Sequence, residues 1–238
     1  MTRGHLQNFS KNQFKNFVAF VSGKPSSQLE TQLISKLGQI NPNIGTVRTF
    51  TQKQSEAKDH FITRVNSVQS SVRVGKLMVS RNHSDYPGVL LLNHILGGFF
   101  GSRLMKNIRE EKGLTYGIHS SIHALMHGSY VVIGADVNKE NRQLTIDEIR
   151  TEIARLRSDR IPEAELEIAR NHFIGSLQSD MSTPFAHADK HKVISLFKLN
   201  HDYYQQLIQS LLALTQQDLL EIAQKHFQEE SLLTASVG

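Results

Sequence analysis

The residues best suited to chemistry lie in the run Ile108-Arg109-Glu110-Glu111-Lys112-Gly113-Leu114-Thr115-Tyr116-Gly117, where an arginine and a tyrosine flank a helix end. A guanidinium stays charged and carries fixed donors, and a phenol adds one more. A convergent Arg109/Tyr116 pair therefore suits a carbonyl oxygen or a developing oxyanion. Neither group is a ready nucleophile. The competing structural explanation pairs Arg109 with Glu110, Glu111 or a carbonyl and makes Tyr116 a core aromatic, and composition does not choose between them.

The elements that must position the pair are legible around it. A helix beginning near Ser102 places Leu104, Met105 and Ile108 on one side at about 100° per residue, with Arg103, Lys106 and Glu110 toward water and Arg109 at the border. Gly113 suits the left-handed position just past a helix end. The strand that follows puts Leu114, Tyr116, Ile118 and Ile122 on one face. His119 and His123, with Thr115 and Ser121, line the opposite polar face, either hydrated or turned to a partner. Residues four apart on a strand are roughly 13 Å apart, too far for the two histidines to share one metal. Upstream, Pro87 opens an apolar helix (Val89, Leu90, Leu91, Leu92, Ile95, Leu96) that Gly97-Gly98 interrupts, and Gly101 follows.

Elsewhere the pattern alternates between strands and helices. Residues 1–16 read as a polar short helix or lead-in, and Phe17-Val18-Ala19-Phe20-Val21-Ser22-Gly23 as a buried strand. Leu29, Leu33, Ile34 and Leu37 then fall at helical spacing behind a Pro-Ser-Ser start. A period of two around Phe61–Val65 and Val72–Ser80 predicts two strands, and Leu114–Leu125 with Tyr130–Val137 predicts a hairpin through His127-Gly128. From Asn141 the pattern is helical, over about 140–158, 162–179, 184–198, 201–212 and 215–228, and Leu232–Val237 returns as a last strand. Without repeats, linkers or a composition break, the expectation is one α+β domain over 1–238, a mostly antiparallel sheet with helices packed on it.

Composition excludes several classes of function. The absence of cysteine removes disulfides, thiolate zinc sites, iron–sulfur clusters and cysteine nucleophiles. No run of 18 apolar residues exists and Met1–Gln7 lacks the apolar core of a secretory signal, so a soluble protein with no membrane span is expected. The net charge of +5 is spread among interleaved acids, which suits solvated helix faces better than a nucleic-acid groove. Neither a phosphate-binding G-x-x-x-x-G-K-[ST] nor G-x-G-x-x-G after a strand occurs, nor does G-x-S-x-G. Among the 12 histidines, His187-Ala188-Asp189-Lys190-His191 comes nearest to H-x-x-E-H but has lysine where the base belongs. No metal site is expected in this chain.

The run Leu96-Gly97-Gly98, Ser102-Arg103-Leu104 and Ile108 to Gly117 closely resembles the second half of zinc peptidases of the pitrilysin/insulinase (inverzincin) family, which includes the mitochondrial processing peptidases. The opening Phe17–Gly23 and the segment Pro162-Glu163-Ala164-Glu165-Leu166 are similar to that family too. The resemblance implies a domain without a zinc site that closes over a catalytic half bearing H-x-x-E-H. It implies that Zn2+ belongs to that partner half, in the same longer chain or a separate subunit, and that peptides are the substrate. It implies that Arg109 and Tyr116 reach the substrate or tetrahedral intermediate, and that Gly97, Gly98 and Gly101 form a substrate-side loop. The alternative it leaves is a non-catalytic scaffold or peptide-binding subunit of the same fold.

Overall fold

The computed structural model describes residues 1–13, 18–40, 59–126 and 128–238. Its centre is a five-stranded sheet formed by β1 (His60–Ile62), β2 (Gln69–Met78), β3 (Thr115–Leu125), β4 (Gly128–Asn138) and β5 (Leu233–Val237). The order is β1-β5-β2-β4-β3; β1 and β5 run parallel and every other pair is antiparallel. The mostly antiparallel α+β expectation therefore holds, and β3, the strand that carries the tyrosine, is an edge.

Alternation decides which face is covered. Val72 and Val74 of β2, Ile118 of β3, and Val131, Ile133, Ala135 and Val137 of β4 are all buried. They meet helices α3 (Tyr86–Asn93) and α4 (Arg142–Ser158), whose inward residues Val89, Leu91, Leu92, Ile146, Ile149, Ile153 and Leu156 are fully or almost fully buried. Helices α5 (Glu163–Ser179), α6 (Pro184–Phe197), α7 (Tyr203–Ala213) and α8 (Gln216–His226) complete the layer. Their starts agree with local chemistry. Thr183 caps α6 from the Ala186 amide, and Thr215 with Asp218 forms a reciprocal capping box on α8. The opposite sheet face carries Arg73, Leu77, Tyr130 and Asp136 and stays open.

The N-terminal segment forms the expected helices but not the expected strand. Helix α1 spans Arg3–Gln13 and α2 spans Ser27–Gly38, the latter capped by Ser26, yet α2 buries no residue. Residues 18–23 are not a strand, and Val18 and Val21 are mostly exposed; Phe17 lies outside the described residues. A run of apolar residues becomes a strand only where a ladder partner exists, and among the described residues the sheet ends at β1 and β3 without one for this segment. Instead it lies along α6, where the Ser22 hydroxyl donates to the Pro184 carbonyl at 2.9 Å and Phe20 meets His191 edge-on.

Candidate functional site

The helix that carries Arg109 has a wide, π-type turn over Met105–Glu111. Leu104 and Ile108 are fully buried, as the helical wheel requires. The Lys112 amide donates to the Asn107 carbonyl and the Leu114 amide to the Ile108 carbonyl. Gly113 sits between them at φ +61°, the left-handed conformation that lets the chain turn at once into β3.

A polar network that sequence spacing did not reveal fixes this helix to α4. The Asn107 amide, in a residue 6% exposed, donates to Glu148 at 3.0 Å and to the nearly buried Glu152 at 2.7 Å. The Lys112 ammonium donates to the Asn107 side-chain Oδ1 and pairs with Glu148 at 3.1 Å. Burial pushes the Glu148 carboxyl up, but hydrogen bonds from Asn107 and Lys112 and the lysine charge outweigh it and hold its pKa below the ordinary value. The partners lie about 40 residues apart, so only the fold unites them.

Arg103 also departs from expectation. It does not face water: its guanidinium makes a fork-on-fork pair with Glu165 of α5, at 2.7 and 2.9 Å, with side chains 15% and 27% exposed. The arginine reaches sideways to a neighbouring helix that the wheel of one isolated helix does not contain.

Tyr116 makes the largest departure. Thr115 faces Val137 while Ile118 faces Ala135, so three steps on β3 match two on β4. This bulge breaks the alternation that put Tyr116 on the face of Ile118. Ile118 is buried, whereas Tyr116 is 96% exposed and is no core aromatic. Arg109 is half-buried and lies over the Phe100 ring at 4.8 Å. Neither residue makes a hydrogen bond or ion pair among the described residues. The corner thus presents an unpaired cation and an unpaired phenol on either side of Gly113.

The three glycines lie against packed groups. Gly97 packs against β3: a Cβ there would lie 2.8 Å from both the Cβ and the backbone nitrogen of Ser120. The surrounding turn, His94–Gly98, kinks at Gly97, whose φ of −159° and ψ of 19° are not helical. Gly98 makes room for His94, whose ring stacks on Phe99 at 4.7 Å and shares a 3.0 Å hydrogen bond with His172. Burial, then the His172 charge, lowers the His94 pKa to about 4. Gly101 abuts the Phe99 ring. His119 is exposed and His123 stacks on Tyr130, in keeping with the polar face expected of β3.

Among the described residues one grouping brings three possible metal-ligand atoms within 4.8 Å: His83, Asp85 and His226. Its members are too far apart in sequence for a motif search to find. The Asp85 carboxylate already takes the His226 Nε2 and Lys225 Nζ donors, each at 2.7 Å, and these hold its pKa down to about 2. A residue before the start of α3 is thereby clamped to the C-terminal end of α8, charges placed as both helix dipoles favour. The lysine supplies the positive charge a metal would bring, so this grouping fits a helix clamp and not a zinc centre.

A domain with one sheet face covered by helices, no H-x-x-E-H and an exposed Arg/Tyr corner belongs to a defined class. The chain is a member of the peptidase M16 inactive domain family, which it matches over residues 1–173. It is 25% identical over 185 residues to an uncharacterized zinc protease, YmxG, of Bacillus subtilis (strain 168), covering 78% of this chain and 45% of that one. The chain therefore spans less than half the length of that relative. The fold matches a crystallised peptidase M16 inactive domain from Pseudomonas fluorescens with TM-score 0.84 at 22% identity, over 100% of this chain and 57% of that one. A protease from Helicobacter pylori matches with the same TM-score at 19% identity, over 100% and 59%. No described helix is long and apolar enough to cross a membrane.

Proposed function

We propose that this chain is the half of a zinc metallopeptidase that closes over an H-x-x-E-H half and lends donors to the substrate. The observation that carries the reading is Tyr116, a large aromatic left 96% exposed by a bulge on an edge strand, seven residues after an arginine with no carboxylate partner among the described residues. Exposed aromatic surface of that kind gains nothing for the isolated fold. It gains value when a peptide or partner covers it. Arg109 contributes a permanent charge, and Phe100 beneath it limits the positions the guanidinium samples. Both groups are free to donate to a peptide carbonyl and to the more negative oxygen of a tetrahedral intermediate, where donors of this type contribute about 3 kcal/mol each. The zinc and the general base belong, on this reading, to the partner half, since no described residues here fit a zinc centre.

The test mixes the chain with its H-x-x-E-H-bearing half and follows a quenched fluorescent peptide. Arg109→Ala and Tyr116→Phe are expected each to lower turnover by about 100-fold, with the zinc content of the assembly unchanged. Unaltered turnover in both variants refutes the assigned roles. A stable complex without activity gives the weight to the scaffold alternative.

A further inference from the structure

We propose that the cleft between the first turn of α3 and the α6–α7 corner is a binding site for a small oxyanion, the phosphate or carboxylate group of a ligand. This inference stands apart from the peptidase reading.

The cleft has a volume of about 380 Å³, and among the described residues no aspartate or glutamate lines it. At its wall the Arg81 guanidinium is held between two rings, 5.6 Å from the centre of Tyr86 and 5.0 Å from that of Phe197. Unlike Arg103, Arg150 and Arg155, it pairs with no carboxylate among the described residues. Its Nε is buried without a hydrogen-bond partner. A buried donor normally finds an acceptor, and here the cleft is where one would enter.

Two neighbours point the same way. The Tyr203 hydroxyl is buried beside Arg81 without a well-formed hydrogen bond. Burial raises its pKa, so the phenol stays protonated and can donate. Lys198 ends α6 in the left-handed conformation, φ 53° and ψ 44°. It is the only non-glycine residue with positive φ among those described. Glycine occupies such helix ends freely, and a residue with a Cβ does so at a steric cost. Lysine at this point adds a cation to the lining of the cleft that glycine would not supply.

Cationic and neutral donors without an acidic acceptor select against cations. They suit a group with two or three acceptor oxygens, which a guanidinium binds through parallel hydrogen bonds. The rings that hold Arg81 fix that fork before the ligand arrives, which lowers the ordering cost of binding.

The experiment titrates the full chain with inorganic phosphate and, separately, with a blocked dipeptide bearing a free α-carboxylate, using the dipeptide amide as control. Calorimetry and backbone amide shifts report binding. The expected result is saturable 1:1 binding of at least one of the two anions and none of the amide; which anion binds names the ligand's acidic group. Arg81→Met keeps an unbranched chain between the rings and is expected to weaken binding at least tenfold. Lys198→Gly removes the cation and the steric cost together. It is expected to melt no lower than wild type while binding severalfold more weakly. Absence of saturable binding of either anion at millimolar concentration overturns the proposal, as does binding that survives both substitutions unchanged.

Discussion

Replacing Gly97 by alanine tests whether the glycine-broken turn is a packing device or a free substrate-side loop. The new Cβ would stand 2.8 Å from the Ser120 nitrogen and Cβ, and 3.0 Å from Leu104 Cδ1. Ordinary contact begins near 3.4 Å, so relief requires a movement of 3.4 − 2.8 = 0.6 Å. Side-chain rotation cannot supply it, because one obstacle is the backbone of a strand laddered to β4 through Ser120 and Ile133. Asn93 and Ser120 add two buried hydrogen bonds across the same contact, at 3.2 and 2.5 Å, which the shift would strain. Overpacking of this kind costs about 1–3 kcal/mol, offset by roughly 0.4–1 kcal/mol from restricting the unfolded chain. The expected net loss is about 1–2 kcal/mol, and at this chain length each kcal/mol corresponds to about 2–4 °C in Tm. Urea denaturation of Gly97→Ala beside Gly101→Ala reads the difference. Gly101 meets only the Phe99 side chain and no backbone, so its variant should lose less stability than Gly97→Ala. A Gly97→Ala protein with the wild-type midpoint would refute the tight approach of this turn to β3.

Two further outcomes follow from groups buried around the same helices. His94 titrates near 4 when folded, below its ordinary 6.5, so as pH falls the unfolded chain takes up the proton first. The stability this histidine contributes is complete above pH 6.5 and is lost as pH falls toward 4. His94→Phe keeps a ring against Phe99 and should flatten stability against pH across that window; an unchanged slope would assign the proton uptake to another group. Arg103→Ala should cost about 1–3 kcal/mol through loss of its charged fork on Glu165. A double-mutant cycle with Glu165→Gln should show coupling, and additive effects would mean that the pair contributes nothing to stability.

The way Tyr116 was misplaced explains what can be read from residues alone. Period-two alternation assumes an unbroken ladder, and the bulge that reverses it is a property of two strands meeting, visible only when Thr115 and Ile118 are set against Val137 and Ala135. The apolar run around Phe20 likewise has the composition of a strand but no neighbour to pair with among the described residues. Arg103 was assigned to water because a wheel shows one helix and not the α5 carboxylate beside it. The Asn107 network and the Arg81 cleft join residues far apart in sequence, and no local pattern encodes them.

By contrast, the sequence by itself determined the five helices after residue 140, the β3–β4 hairpin, the left-handed stop at Gly113 and the inward set Leu104 and Ile108. It also carried the motif that places the chain in its family. These are local or periodic properties, decided by backbone conformation and by which side chains avoid water within a few residues. Only the tertiary structure decided which polar groups are satisfied: among the described residues Arg109 and Arg81 are left without a carboxylate and Tyr116 without a hydrogen bond, while Arg103 and Asn107 are fastened. Hydrogen bonds and ion pairs are short-ranged in space but indifferent to sequence separation, so their bookkeeping closes only after the chain has folded.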